Sequence, residues 1–596
     1  MQALILAAGV GRRMQPLTQH LHKTLLTVAG QTVIDRILDG LADRGVTPVT
    51  IVTGYRADEL TTHVARHHPH LDVRYVHNAD YETTNNIHSM ALAFEHMELD
   101  EDVVLIESDL VYEPRVLDRL LASGHPDVAL VDRYRAGMDG TVVSLSPSGR
   151  ITAVITPALQ PDNFSFTDKY KTLNIYRFSA ALCRDKLCKL LTYYTSTFDR
   201  NCYYELVLGM LIYVQQVDVH AEVLDGEVWA EIDDPNDLRI AEYTFNPATR
   251  YDTLTAGWGG YWTSDVLDFA FIRNEYFPPP AVLSELRLNL PDLLHSYGSR
   301  QSILDQKLAW ALQWPAGLVH AVAGASQCYP WLRAWYAGRR VLLPAPTFGE
   351  YPRVFPGART YLDAPGIDWT EVEREAEEAD VVVFVNPNNP TGTLLATERI
   401  RRFAEDHPAT TVVVDESFLD FSDEPSIVGH LADGALPNVL VVKSLSKVLG
   451  VPGIRLGVLA TSDPTTAARI AEETPIWDLS SVAENFLEII LKHRPALEQS
   501  FRQTAADREQ LTRLLKDSPG VDAVVPSGGD FVLVRLTGDA VAADTAARRL
   551  VERRGVLVKD VSHKMGDGRG WWRIAVRTPR DQDRLAMALH DLGGAW

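Results

Sequence analysis

The chain has 596 residues, of which 46% are hydrophobic and 23% charged, and a formal net charge of −22. That length exceeds the roughly 250 to 300 residues one hydrophobic core serves, so two domains are expected, and the composition excludes a disordered polymer. The negative balance argues against nucleic acid or an anionic membrane surface as the main partner and leaves small anionic ligands in local basic pockets.

Residues 1–245 alternate strand-like runs, "ALILAAG", "VTPVTIVTG", "LDVRYVHN" and "DVVLIESD", with amphipathic stretches such as 31–44. Such alternation predicts an α/β layer fold with a largely parallel sheet. The Pro, Gly and aromatic content around "TFNPATRYDTLTAGWGGYWTSD" breaks the rhythm, and residues 246–265 are expected as a linker. A second α/β series runs from 266 to 596, with "GLVHAVAG", "RRVLLPAP", "ADVVVFVNP", "TTVVVDES" and "NVLVVKSLS" as buried strands. One long amphipathic helix is expected over 481–517, then strands "DFVLVRL" and "WWRIAVR", giving a large sheet subdomain followed by a small α+β one.

Cys183, Cys188, Cys202 and Cys328 form no CxxC pair and lie near no HxxxH, so reduced thiols are expected, not a disulfide frame or a zinc site. The opening "MQALILAAGVGRRM" lacks a basic leader and a small-residue cleavage site. No window reaches the roughly 18 apolar residues of a membrane span. A cytoplasmic protein without membrane contact is expected.

"LILAAGVGRRM" sets a small-residue turn after the first strand, with Arg12 and Arg13 opening the next helix. Unobstructed backbone N–H groups and a helix N-terminus both favour phosphate oxygens. Lys23 in "HKTLL" adds a point charge suited to a triphosphate. Asp109 in "ESDLVYE" and Asp233 in "EIDDPNDL" come from two strand ends and suit Mg²⁺ on a nucleotide, whereas Asp234 also reads as a helix cap. On these motifs residues 1–243 resemble nucleotidyltransferases of the sugar-nucleotide pyrophosphorylase type. "HKTLL", "IVTGY", "NADYETTNNIHSM", "YKTLNIYRF" and "EIDDPNDL" are most similar to cytidylyltransferases acting on phosphocholine or phosphonates. The resemblance implies a Rossmann-like domain that binds CTP through Leu6, Ala8, Gly9, Gly11, Arg12, Arg13, Lys23, Asn86 and Ser89. It implies Asp109 and Asp233 as Mg²⁺ ligands and Lys171 facing the acceptor's phosphoryl oxygens.

In the second series "NPNNPTGT" makes a tight turn at a strand's carboxyl end, where α/β sheets bind ligands. Asp415 ends the next strand, and "KSLSKVLGVPGIRLG" carries Ser444, Lys447 and Arg455. A lysine for an imine, an aspartate for a pyridine nitrogen, and a serine and arginine for a phosphate fit pyridoxal phosphate. Residues 266–596 resemble fold-type I pyridoxal-phosphate enzymes, nearest to histidinol-phosphate aminotransferases and threonine-phosphate decarboxylases. That implies Asn389 on the ring oxygen, Asp415 on the ring nitrogen, Lys447 as the imine lysine and Phe348 stacked on the ring. Ser326 and Gln327 in "GASQC" become phosphate candidates, although the stretch departs from the family's usual glycine and acid. Tyr297 would reach the partner subunit's cofactor, implying a homodimer.

Phe418 in "DESFLDF" stands where aminotransferases of this group carry a tyrosine, which leans towards decarboxylation; a tolerated phenylalanine in an aminotransferase is the alternative. Arg573 and Arg577 are four apart in an expected strand, so period two puts both on one face. Arg573 matches the family's substrate-carboxylate arginine, and Arg577 is expected to take a second anion or to form a surface ion pair. Together the halves resemble bifunctional enzymes of phosphonate antibiotic pathways. This implies CTP and a phosphonate amino acid as substrates, cytidylyl transfer and then decarboxylation or transamination.

Overall fold

The computed structural model describes residues 1–593 except 136, 364 and 365; the last three residues of the expected second domain lie outside it. The chain divides into two compact units, Met1–Ala256 with Tyr261–Ser264, and Gly257–Gly260 with the chain from Asp265 onward.

The first unit is built on a nine-stranded sheet. Gln2–Ala7 lies at its centre, parallel to both Val49–Thr53 and Val103–Glu107, and Val73–His77 extends the parallel set. Tyr170–Phe178 then runs antiparallel to Val103–Glu107 and to Val128–Arg133, so the sheet is mixed where a largely parallel one is expected. The central strand is buried along its whole length. Ala3, Ile5 and Ala7 join one hydrophobic cluster, and Leu4, Leu6 and Ala8 join another. Successive side chains point to opposite faces, so each cluster lies on its own face of the sheet. Helix Val33–Ala42 packs through Ile34, Ile37, Leu38 and Leu41, and Thr32 Oγ1 caps it by accepting from Asp35 N at 3.1 Å. At the carboxyl edge Tyr55 N donates to Ala8 O at 3.1 Å. Gly54 permits this approach, because a Cβ there would lie 2.7 Å from Ala8 O. The stretch expected as a linker forms a helix over Pro247–Gly257, with Tyr251 and Leu254 buried.

The second unit carries a seven-stranded sheet in the order Val319–Val322, Gly457–Thr461, Val439–Ser444, Thr411–Asp415, Val381–Val385, Val341–Ala345, Arg359–Leu362. Only Gly457–Thr461 is antiparallel to its neighbours. Val382 and Phe384 face one cluster while Val381, Val383 and Val385 face another, which accounts for continuous apolar runs in strands covered on both faces. A four-stranded antiparallel sheet, Val521–Val525, Phe531–Asp539, Arg569–Ala575 and Lys559–Asp560, forms the small subdomain. The helix expected over 481–517 is two helices, Ser481–Ile490 and Arg494–Lys516. Pro495 explains the break: without an N–H it suits a first turn and not a helix interior. Among the described residues no helix is long and apolar enough to cross a membrane.

Candidate functional site

In the first unit every nucleotide, metal and acceptor residue predicted above lines one cavity of about 700 Å³. Its floor is the carboxyl edge of the sheet, where Leu6 pairs with Glu107. The glycine turn closes through Gly11, at φ +63°, whose carbonyl accepts from Thr18 Oγ1 at 2.9 Å. Arg12 and Arg13 do not open an α-helix. They occupy a three-residue 3-10 turn, Arg12–Met14, because Pro16 follows at once and cannot donate to a helical ladder. A phosphate at this turn would therefore meet the side-chain cations without the dipole of an α-helix.

Lys23 Nζ lies 2.9 Å from Asp109 Oδ2 and 3.1 Å from Asp233 Oδ1, and Arg13 Nη2 lies 2.8 Å from Asp233 Oδ2. Burial works to lower the Lys23 pKa, but the two carboxylates outweigh it and hold the ammonium above its ordinary range. Asp109 Oδ1 is buried without a hydrogen-bond partner. Carboxylate oxygens of Asp139, Glu231 and Asp233 lie within 4.8 Å of one another. An all-oxygen set with an open buried oxygen fits Mg²⁺. Asp234 is a cap, accepting from Asn236 N at 2.6 Å and Asp237 N at 3.1 Å. Lys171 is buried, 3.1 Å from Glu231 Oε2, and donates to Thr172 O at 2.9 Å. Ser89 Oγ accepts from Asn78 Nδ2 at 3.1 Å, and Asn86 Nδ2 donates to Glu107 Oε1 at 3.1 Å. Sequence reasoning missed Glu107, Asp139, Asn174, Glu205 and Glu231. Glu231 and Glu107 had a signal, each two residues before a predicted aspartate in the same motif, and Asn174 lay inside "YKTLNIYRF"; Asp139 and Glu205 gave none.

In the second unit Asp415 ends its strand fully buried, held by Tyr351 Oη on Oδ2 at 2.8 Å and by Ser417 N and Oγ on Oδ1 at 3.0 and 2.5 Å. Burial pushes its carboxyl above the ordinary range, against these donors and the nearby Lys447. A buried anion in this state calls for a cationic partner, which a protonated pyridine supplies. Lys447 is lowered by burial, as an amine that must react in neutral form requires, and its Nζ lies 3.4 Å from Ser444 Oγ. Arg455, at φ +62°, reaches Ser326 Oγ with Nη2 at 2.8 Å. Gly324 leaves the space, since a Cβ there would lie 2.5 Å from Arg455 Nη2. Ser326 and Arg455 thus meet just ahead of helix Cys328–Trp335, a hydroxyl and a guanidinium of the kind that suits a phosphate. These donors fit pyridoxal phosphate at lysine, ring nitrogen and phosphate.

Gln327 departs from its expected place. Its Nε2 donates to Asp478 Oδ1 at 2.9 Å and its Oε1 accepts from Ala323 N at 2.6 Å, so it braces the loop. Phe348 packs beside Tyr329, with ring centroids 6.1 Å apart. Asn389 accepts from Arg573 Nη1 at 2.9 Å. Arg577 lies past the end of the strand Arg569–Ala575, outside the single strand expected for the pair, and is neither free for an anion nor at the surface. It is buried, donates through Nε to Asp268 O at 2.5 Å and forms an ion pair with Glu275. Tyr297 is 79% exposed and stacks on Trp477 at 4.5 Å. Phe418 packs edge-on against Phe531 at 5.2 Å. Tyr351 and Ser417 were missed, although Tyr351 stands three residues after Phe348 and Ser417 lies inside "DESFLDF".

Family models match residues 270–589 as aminotransferase class I and II and residues 3–187 as a MobA-like NTP transferase domain. The chain is 32% identical to the CMP-5'-(3-aminopropyl)phosphonate synthase of Streptomyces rubellomurinus (strain ATCC 31215), across 100% of this chain and 95% of that protein. The chain belongs to the family of that synthase. Like other members of this synthase family it is an enzyme that joins a nucleotidyltransferase domain to a fold-type I, pyridoxal-phosphate-dependent domain. The second domain is also 26% identical to threonine-phosphate decarboxylase of Salmonella typhimurium (strain LT2), over 55% of this chain and 91% of that protein. A solved L-threonine-O-3-phosphate decarboxylase from Porphyromonas gingivalis overlays 55% of this chain and 98% of its own at TM-score 0.49 and 25% identity.

Proposed function

We propose that the first unit transfers CMP from CTP to the phosphonate of 2-amino-4-phosphonobutyrate, and that the second decarboxylates the ester to CMP-5'-3-aminopropylphosphonate. The observation that carries this reading is the full-length likeness to a synthase of that name, with both sets of site residues present on one chain.

In the first unit Arg12, Arg13 and Lys23 neutralise the triphosphate, and Asp109 and Asp233 would hold Mg²⁺, which supplies Lewis-acid charge neutralisation when bound. Lys171 orients an acceptor phosphonate oxygen towards the α-phosphorus; its P–O bond forms as the bond to pyrophosphate breaks. Positioning and charge stabilisation supply the rate. In the second unit pyridoxal phosphate supplies an electron sink for the pair left at Cα when CO₂ departs. Lys447 gives the covalent anchor and, as an amine, moves a proton at Cα. Asp415, fixed by Tyr351 and Ser417, keeps its charge on the ring-nitrogen side, while Ser326 and Arg455 hold the phosphate. Arg573 takes an anionic group of the amino acid. Tyr297 and Trp477 lie on an exposed face, and we assign this face to a homodimer.

The test is mass spectrometry of products from CTP, Mg²⁺ and 2-amino-4-phosphonobutyrate with wild type and Lys447→Ala. Wild type is expected to make the ester lacking CO₂, and the variant to stop at the carboxylated ester. A second reading has one specific support: the second domain is also 31% identical over 265 residues to histidinol-phosphate aminotransferase of Chlorobium chlorochromatii (strain CaD3). A keto product formed only with an added amino acceptor would establish that reading and overturn decarboxylation.

A further inference from the structure

The cavity of the first unit contains a buried carboxylate that the phosphates of a nucleotide would only repel. Glu205 opens helix Glu205–Tyr213, lines the cavity and is 3% exposed. Its Oε1 accepts from Thr141 Oγ1 at 3.2 Å, while Oε2 is buried with no hydrogen-bond partner. Glu107 lines the same cavity, and its Oε1 takes the Asn86 amide. Lys171 attracts both carboxylates through space, but its direct bonds go to Glu231 and to Thr172 O, so it donates no hydrogen bond to Glu205.

A buried carboxylate with an open oxygen carries its desolvation cost uncompensated, and each such group in a folded protein calls for a reason. Phosphate oxygens would add repulsion. A hydrogen-bonding cation completes the site, because an ammonium supplies both the charge and the N–H donors. Burial raises the Glu205 carboxyl above its ordinary range even against the attraction of Lys171, and an ammonium bonded to the open oxygen would oppose that shift.

We propose that Glu205, with Glu107 beside it, is the subsite for the acceptor's ammonium group, and that it makes the first unit selective for phosphonates carrying a primary amine. This rests on the phosphonate-acceptor reading of the first unit. Lys171 and Glu205 then read the two ends of one zwitterionic molecule, the phosphonate and the amine.

The experiment measures pyrophosphate release from CTP and Mg²⁺ by the full chain with 2-amino-4-phosphonobutyrate and with its des-amino counterpart, 4-phosphonobutyrate. Wild type is expected to favour the aminated acceptor, and Glu205→Gln to lower that preference in kcat/KM by roughly 30-fold or more, mainly through KM. Activity on 4-phosphonobutyrate should stay within about threefold, and since the readout is a ratio within one sample, the folded fraction of the variant cancels. Equal loss on both acceptors, or no wild-type preference, overturns the ammonium subsite alone. No release with either acceptor overturns the acceptor class, and the subsite with it.

Discussion

The Tyr351 hydroxyl donates to Asp415 Oδ2 at 2.8 Å, and this bond orients the carboxylate assigned to the cofactor's ring nitrogen. A hydrogen bond to a charged group contributes about 1.5–3 kcal/mol. Tyr351→Phe should therefore weaken retention of pyridoxal phosphate by about 10- to 100-fold, read by dialysis and the visible absorption of the bound cofactor. Unchanged retention would show that the two Ser417 donors suffice.

Lys23 separates two largely buried carboxylates, Asp109 and Asp233. Removing one partner of such a pair leaves uncompensated charge and costs about 3–5 kcal/mol. Lys23→Ala should melt the first unit earlier, and Mg²⁺ should recover more of the melting temperature in the variant than in wild type. Differential scanning calorimetry with and without Mg²⁺ checks both; a variant indifferent to Mg²⁺ would remove Asp109 and Asp233 from the ion's ligands. Pyrophosphate release should fall by about 10²- to 10³-fold.

Asp530 is buried with neither carboxylate oxygen partnered, and burial lifts its pKa from 3.8 to about 7 against the attraction of Lys447, Arg573 and Arg508. The folded protein then keeps a proton that the unfolded chain has lost. Stability present below pH 3.8 is given up as pH rises to about 7 and stays flat above it. The total is about 4 kcal/mol at the usual 1.36 kcal/mol for each pKa unit. Asp530→Asn should abolish this slope, so that its melting temperature gains on wild type from pH 4 to 7. Parallel curves for the two proteins would contradict the assignment.

Trp477 and Tyr297 stack on a face that also exposes Ile476 and Leu294, at 76% and 70%. An exposed apolar patch of this kind marks an interaction surface. Trp477→Arg should convert a dimer to a monomer by light scattering while leaving pyrophosphate release by the first unit unchanged. A wild-type monomer would refute the homodimer.

The sequence was most informative where chemistry sits on strand ends. The turn from Leu6 to Arg13 and the strand closing at Asp415 each declare a hydrophobic run and then a change to small or charged residues, and both became site edges. Partners from distant segments left no such trace. Arg577 shares the parity of Arg573, yet Asp268 and Glu275, some three hundred residues earlier, enclose it, and only packing could bring them there. Gln327 was lost to Asp478 for the same reason. Glu205 gave no sequence signal, because acids commonly stand in the first turns of helices. What sets it apart is the burial of its second oxygen. The 3-10 turn at Arg12–Met14 was legible in principle, since Pro16 was in view.

Asn389 and Arg573 come from different subdomains and are joined at 2.9 Å. In the proposed reaction an anion that bonds to Nη1 displaces that amide oxygen, since Nη2 is held by Ala270 O and Nε alone is without a partner. Recognition at Arg573 is thus an exchange of one acceptor for another, and only the difference between the two bonds remains to favour the substrate. Weak or poorly aligned anions leave the amide in place, so discrimination against bystander metabolites can arise before any chemistry begins.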